Sequence, residues 1–320
     1  MMRNPVYSRE MKVSSRSIRL PLIIVLFNGI LSMVTLLNMY SAVAQVESAA
    51  VIQYSSFMDM YEFVTTIEFI LLMFIVPAVT AASISGERER QTLELMLTTQ
   101  MTASQVVIGK LMSALSTLLL LIVSSFPAVA MVFVYGGITW QDILSLLLCY
   151  ITVAFFAGSL GICFSALFKR STISTVVTYG VLIAVVAGTY FINKFSLSLS
   201  SMNISNSVAA YGFGENVVKP SSGNVIYLLL LNPAATFYTI INGQMGGSTP
   251  TAKMAGYFGM QSTGFVMKNW IIISIVIQLA IAALMIWVAI KAVEPVKRRR
   301  RHGCLFLMLA NICICTSFML

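Results

Sequence analysis

The chain has 320 residues, of which 58% are hydrophobic and only 10% are charged, and its mean hydropathy is +0.89. A soluble domain of this length could not cover so much apolar surface with 20 Lys and Arg and 11 Asp and Glu side chains. The composition therefore excludes a soluble globular protein and predicts an all-α, polytopic membrane protein.

Six apolar runs are each long enough to cross a bilayer, for which about 20 helical residues suffice. In chain order they are Leu20 to Ala44, Met60 to Ser83, Val106 to Tyr135, Ile143 to Phe168, Ile173 to Ile192 and Trp270 to Ala292. Pro77 and Pro127 lie inside the second and third runs, where a missing backbone N–H predicts kinks. These runs predict a six-helix transmembrane bundle over residues 20–292, which follows a basic arm at residues 1–19.

The net charge of +9 is distributed unevenly along the loops. The N-terminal arm, the second and fourth loops and the C-terminal tail hold 16 of the 20 Lys and Arg residues. The positive-inside rule then predicts that both termini are cytosolic and that residues 193–269 form a large external loop. We interpret the charge as an orientation signal with some attraction to membrane lipids, and we expect no nucleic-acid partner.

Two segments outside the six runs are also apolar. Val225–Leu231 is too short to cross the bilayer, and Asn232-Pro233 follows it, which predicts a helix that dips into the outer leaflet and then turns. The C-terminal region, residues 293–320, begins with a basic cluster and continues as an apolar segment. We expect that segment to lie at the membrane interface, with a seventh span as the alternative.

The sequence offers little catalytic chemistry. His302 is the sole histidine, which excludes a two-His zinc motif. A phosphate-binding loop is also missing, because Ser104 stands where the first glycine before Gly109-Lys110 is needed and Leu111 follows the lysine. We therefore predict no catalytic residue, no metal and no cofactor in this chain.

The second loop, residues 84–105, carries charges in an otherwise apolar region. Glu87 and Arg90 are three residues apart and Arg90 and Glu94 are four apart, so they can form ion pairs along a helix. Beyond them, Thr102-Ala-Ser-Gln105 matches a capping box that starts the next helix. The pattern predicts a surface helix, a sharp turn and then the third span.

One face of that surface helix is apolar. Leu93, Met96 and Leu97 are spaced by three and four residues, which predicts an amphipathic helix. On the residues alone, this helix could be a connector lying on the membrane, or a surface that a soluble partner grips.

The sequence motif in this loop favours the second interpretation, a surface that a soluble partner grips. Ser85–Glu94, followed by Leu97–Thr99 and then Val107–Leu111, resembles the permeases of type-two ATP-binding-cassette (ABC) exporters. Their pattern reads approximately Glu-Arg-Glu-Arg-Gly-Thr-Leu-Glu. Here Gln91 stands in place of the usual Gly, and Gln100 stands in place of the usual Pro. The resemblance extends to the six-span plan, the Asn-Pro element before the last span and the basic tail.

The resemblance implies a plasma-membrane permease subunit whose charged loop is a coupling helix contacted by cytosolic ABC ATPase subunits, which bind ATP and Mg. Six spans are half of the usual dozen, so it also implies a second copy or a related permease in a homo- or heterodimer. The expected ATPase-coupling residues are Gly86, Glu87, Arg88, Glu89, Arg90, Thr92, Leu93, Glu94, Met96 and Leu97.

Polar residues within the spans are candidates for lining a substrate pathway. They are Asn28, Asn38, Glu62, Glu68, Thr178 and Thr189. Small residues in span five suit an interface or a pore wall, with ordinary packing as the alternative. Glu62 and Glu68 are six residues apart and do not share a helical face, which weakens a paired-carboxylate interpretation. Two other functions stay open: a non-transporting anchor or sensor for a cytosolic partner, and an ion-coupled secondary transporter.

Overall fold

The computed structural model describes residues 5–49, 54–93, 96, 101–136, 139–211, 219–245, 250–260 and 264–294. The α-helices are α1 (Pro5–Arg16), α2 (Arg19–Ala49), α3 (Tyr54–Thr80), α4 (Ser85–Glu89), α5 (Ala103–Gly136), α6 (Trp140–Leu167), α7 (Ser171–Ile183), α8 (Thr189–Tyr211), α9 (Pro233–Gln244), α10 (Ala252–Tyr257), α11 (Phe265–Lys268) and α12 (Trp270–Val293). A π-helical turn, Ala184–Gly188, joins α7 to α8, and a 3₁₀ helix, Gly223–Leu231, precedes α9. No strand occurs in the described residues, which confirms the all-α prediction.

Six helical stretches are long and apolar enough to cross a membrane, as the sequence predicted. They are α2, α3, α5, α6, the continuous α7–α8 helix and α12. The fifth stretch differs from the prediction, because its helix continues past residue 193 to Tyr211 instead of entering a loop. The serines and asparagines there are poor helix formers but do not prevent a helix that has already begun.

The 3₁₀ helix and α9 form a sharply bent pair, with an angle of 98° between them. Pro233 is the first residue of α9, a position where its missing N–H is not needed. Asn232 caps the helix by accepting a hydrogen bond from the Ala234 N–H at 2.9 Å. The turn predicted at Asn-Pro is therefore present.

Helix α6 lies at the centre of the bundle, in contact with α3, α5, α7, α9 and α12. Its buried residues run almost without interruption from Cys149 to Ala166 and include two glycines. A Cβ on Gly161 would lie 2.9 Å from Thr80 Cβ, so glycine allows α6 to approach the end of α3 closely.

Helices α2, α7–α8 and α12 present large apolar side chains to the outside of the chain. Val25, Val176, Phe191 and Ile272 are each at least 65% exposed. Apolar surface of this extent is covered by lipid or by another protein chain in a membrane.

Several elements meet at one end of the bundle, which we call the basic end. It comprises α1, residues 81–93, the turn at residues 168–170 and the first turns of α5 and α7. A buried apolar cluster at this end joins α1, the segment after α3, and helices α5, α6 and α12, and it includes Val6, Ile84, Leu93, Val107 and Val293.

Candidate functional site

At the basic end, the chain leaves α3 through a turn whose backbone is hydrogen-bonded to other helices. Ser165 of α6 accepts hydrogen bonds from the Ile84 and Ser85 N–H groups, each at 2.9 Å. Ser174 of α7 donates to the Ala81 carbonyl at 2.7 Å. Because the first N–H groups of a helix have no partner within it, Ser165 serves as the cap for α4. The turn is therefore held by α6 and α7.

Glu87, in α4, is tied to two further helices through a buried lysine. Lys110 of α5 is only 5% exposed, and its Nζ lies 2.8 Å from Glu87 Oε1 and 3.2 Å from Glu10 Oε1. One ammonium group therefore joins α1, α4 and α5. The Glu87–Arg90 pair that the sequence predicted does not form in the described residues, since Glu87 points toward Lys110 while Arg90 is exposed.

The two residues after Glu87 bind the ends of two more helices. Arg88 Nη1 donates to the Phe168 carbonyl at 3.2 Å, where α6 ends. Glu89 accepts from the Ser171 N–H at 2.9 Å and from Ser171 Oγ at 2.8 Å, where α7 begins. A cation at a helix C-terminus and an anion at an N-terminus both match the helix dipole. The hydrogen bonds from Ser171 also lower the pKa of Glu89.

The surface helix that the sequence predicted is interrupted. Helix α4 ends at Glu89, and Gln91 follows with φ 59°, in the left-handed region that favours glycine. This position is the one where the resembled pattern has Gly. The backbone here has the conformation that glycine prefers, and Gln91 adopts it at a cost of about 1–2 kcal/mol.

The apolar residue Leu93, which follows this turn, faces inward rather than outward. Leu93 was predicted to be part of an apolar surface for a partner, but it is 4% exposed and packs in the cluster at the basic end. Thr92 donates to the Glu87 carbonyl at 3.1 Å. Met96 is half-buried, and Gly86 has open space around its Cα. Glu94 and Leu97 lie outside the described residues.

Lys110 is the main residue of this site that sequence reasoning missed. In the sequence, it was counted as an orientation charge, rejected as part of a phosphate-binding loop, and placed in the segment that carries the family resemblance, without being given a partner. Nothing in the spacing predicts that it is buried or that it pairs with Glu10 of α1. The capping box at the start of α5, by contrast, is confirmed: Gln105 N–H donates to Thr102 Oγ1, and Thr102 N–H donates to Gln105 Oε1.

No hydrogen bond found in the described residues joins the candidate pathway residues to one another. Asn28 of α2 donates to Ser124 Oγ of α5 at 2.8 Å, and Asn38 donates to the Val34 carbonyl within its own helix. Glu62 is half-buried. Thr178 is fully buried and donates to a carbonyl of its own helix, which fits the packing alternative.

Thr189 takes part in an unexpected junction. Asn232 Nδ2 donates to Thr189 Oγ1 and to the Val186 carbonyl, both at 2.9 Å. Val186 lies in the π-helical turn, where the regular hydrogen-bond ladder is disturbed. The Asn-Pro bend is thus fastened to the middle of the fifth span. The sequence indicated the bend but had no signal for the π turn.

A comparison with curated proteins gave no match. A family model described as "ABC-2 family transporter protein" matches residues 5–293. The match begins with α1 and ends with α12, so it includes both the basic end and the Asn-Pro bend.

Proposed function

The chain belongs to the ABC-2 family of transporter proteins, and from that premise we propose that it is the membrane-spanning permease subunit of an ATP-driven exporter. Members of this family are the membrane components of transporters and are not themselves catalytic. In this proposal, separate cytosolic ATPase subunits bind ATP and Mg, and their closure moves the permease. The basic end then faces the cytosol of a bacterial cell, as the distribution of Lys and Arg suggests.

The observation that carries the proposal is the set of contacts that three consecutive residues make with other helices. Glu87 binds Lys110 of α5, which also binds Glu10 of α1. Arg88 binds the end of α6, and Glu89 binds the start of α7. A displacement of α4 would therefore act on all of these helices together. Packed helices move as rigid units, so a short charged segment of this kind is suited to pass a movement from a docked protein into the bundle.

The docking surface itself is the exposed part of the same segment. Arg90 and Gln91 are exposed and point away from the bundle, while the residues before them are engaged with it. We propose that Arg90 meets the ATPase, and that Glu87, Arg88 and Glu89 act mainly as internal links. This division modifies the sequence-based expectation that all of these residues contact the partner.

A second permease chain completes the proposed transporter. The exposed apolar faces of α2 and α7–α8 are candidates for that contact, and the substrate would leave between the two halves. The pathway would be lined by spans one, two and five. In the same scheme, residues 1–19 are cytosolic and residues 193–269 are external.

The test is purification of the protein from its native membranes, followed by assay of ATP hydrolysis in the purified complex. We expect an ATPase to co-purify, and we expect Arg90→Glu to weaken its association about tenfold, or about 1.4 kcal/mol. Lys219→Glu is the matched control, because Lys219 is also exposed but lies outside the basic end.

Three outcomes contradict the proposal in different ways. A stable partner without ATPase activity would indicate the anchor or sensor. Transport that follows an ion gradient without ATP would indicate a secondary transporter. Equal association of the Arg90→Glu and Lys219→Glu proteins with the ATPase would show that the docking surface lies elsewhere.

A further inference from the structure

A buried carboxyl group in the second span is separate from the basic end. Glu68 lies 12 residues before the end of α3 at Thr80 and 14 after its start at Tyr54. At 1.5 Å per residue, these separations are about 18 Å and 21 Å, so the residue is near the middle of the helix. The side chain is 1% exposed. An ionisable group at this depth is costly and is usually functional.

Two hydroxyl groups from neighbouring helices contact the carboxyl group. Ser125 Oγ of α5 is hydrogen-bonded to Glu68 Oε1 and also lies 2.8 Å from the Ile122 carbonyl. Tyr150 Oη of α6 lies 3.1 Å from Glu68 Oε2 and 3.1 Å from the Thr65 carbonyl. Each hydroxyl has one proton and two acceptors within reach.

This arrangement satisfies both protonation states of Glu68 without moving a heavy atom. When the carboxyl group is ionised, both hydroxyls turn their protons toward it and it accepts two hydrogen bonds. When it is protonated, its O–H donates to Ser125 Oγ or Tyr150 Oη, and that hydroxyl turns its own proton to the backbone carbonyl. Neither state leaves a hydrogen-bonding group without a partner, and the ionised state additionally bears the desolvation cost of a buried charge.

No cation neutralises the carboxylate among the described residues, where the ion pairs are those of Lys110 and Lys291. Lys110, the cation of α5, lies 15 residues from Ser125 along that helix, or about 22 Å. Helices α7 and α9 contain no charged residue, and the charged residues of α2, Arg19 and Glu47, lie near its two ends. Among the described residues, the titratable groups that interact with Glu68 are Tyr61 and Tyr150; Asp142 acts on Tyr61, and Cys149 acts on Tyr150.

A cavity of about 90 Å³ adjoins the carboxyl group. Glu68, Ser125 and Tyr150 line it together with apolar side chains, among them Val123 and Phe126. Those two are 66% and 45% exposed, so the cavity opens between α5 and α6.

We propose that Glu68 is a reversible proton-binding site within the membrane-spanning bundle. The ligand is a single proton, which the carboxyl group takes up and releases while the two hydroxyls reorient. Release of the proton turns both hydroxyls toward one group and so tightens the junction of α3, α5 and α6. The proposal does not depend on ATP or on a partner.

The experiment is infrared spectroscopy of the full-length protein in lipid vesicles, titrated between about pH 4 and pH 10 to cover the ordinary carboxyl and amine ranges. A protonated carboxyl group has a carbonyl stretch that the carboxylate lacks. The other carboxyl groups also protonate near pH 4, so the Glu68 band is read as the wild-type spectrum minus the Glu68→Gln spectrum at each pH. We expect this difference to contain the band at low pH and to lose it as the pH rises. Glu62→Gln is the matched control, with the same substitution on the same helix at a half-buried position, and should retain the band.

Two further variants keep the test valid if Glu68→Gln does not fold. Ser125→Ala and Tyr150→Phe each remove one hydroxyl, so each should shift the frequency of the band and widen the pH range over which it persists. The proposal is wrong if no band responds to these substitutions, or if the band is constant over the whole titration. Loss of the band at constant pH when sodium is added would mean that the site binds a metal cation instead.

Discussion

Substituting one glycine of α6 tests how tightly the end of α3 is held. In Gly161→Ala, the new Cβ would lie 2.9 Å from Thr80 Cβ and 3.3 Å from the Ala81 nitrogen, and it would also collide with Thr80 Oγ1. Thr80 cannot simply rotate away, because its hydroxyl donates to the Val76 carbonyl at 2.8 Å. Overpacking of this kind costs about 1–3 kcal/mol.

The matched control is Gly180→Ala in α7, where an added Cβ meets nothing within 4 Å. Both substitutions replace a helical glycine, so both gain roughly 1 kcal/mol of helix propensity. Their difference therefore isolates the collision at Thr80. A difference of 1–3 kcal/mol corresponds to about 2–12 °C in melting temperature.

The assay is thermal unfolding of the two purified variants in the same detergent, followed by intrinsic fluorescence. We expect Gly180→Ala to melt at or above the wild-type temperature and Gly161→Ala to melt about 2–12 °C below Gly180→Ala. If the two variants melt within about 1 °C of each other, the close packing of α6 on Thr80 is refuted.

Three further substitutions probe the basic end by the same unfolding assay. Lys110→Met should destabilise the protein by about 2 kcal/mol, because it leaves Glu87 unpaired. The control, Lys291→Met, removes an exposed pair and should cost under about 1 kcal/mol. Equal costs for the two variants would contradict burial of the Lys110–Glu87 pair. Gln91→Gly should stabilise by up to about 1 kcal/mol, and a loss of stability would argue against the left-handed turn. Ser165→Ala leaves two N–H groups without acceptors and should cost about 2 kcal/mol or more; an unchanged melting temperature would contradict its capping role.

Features encoded by local pattern were predictable from the sequence. Apolar runs predicted the six spans, because crossing a bilayer requires about 20 apolar residues in succession. Thr102 and Gln105 predicted where α5 begins, because a capping box involves residues only three apart. The Asn-Pro bend was predicted for the same reason: Pro233 restricts the backbone wherever the rest of the chain lies.

Features set by tertiary contacts were not predictable. Leu93 was assigned to an exposed face from its spacing, but spacing does not reveal which side of a helix is covered. Arg90, three residues further along the chain, was the expected partner of Glu87, and only the structure shows that Glu87 pairs with Lys110. The left-handed turn at Gln91 was concealed by the residue itself, because glutamine gives no sign of positive φ.

The contacts of residues 87–89 have a consequence for building chimeric transporters. Because Glu87 and Glu89 bind side chains of other helices, grafting the loop alone into another permease would import two carboxylates without those partners, whereas Arg88 binds a backbone carbonyl that any helix end supplies. The smallest transplantable module adds Glu10, Lys110, Ser165 and Ser171 to the loop. Recombination breakpoints placed inside that set should yield proteins that assemble poorly, and breakpoints outside it should be tolerated.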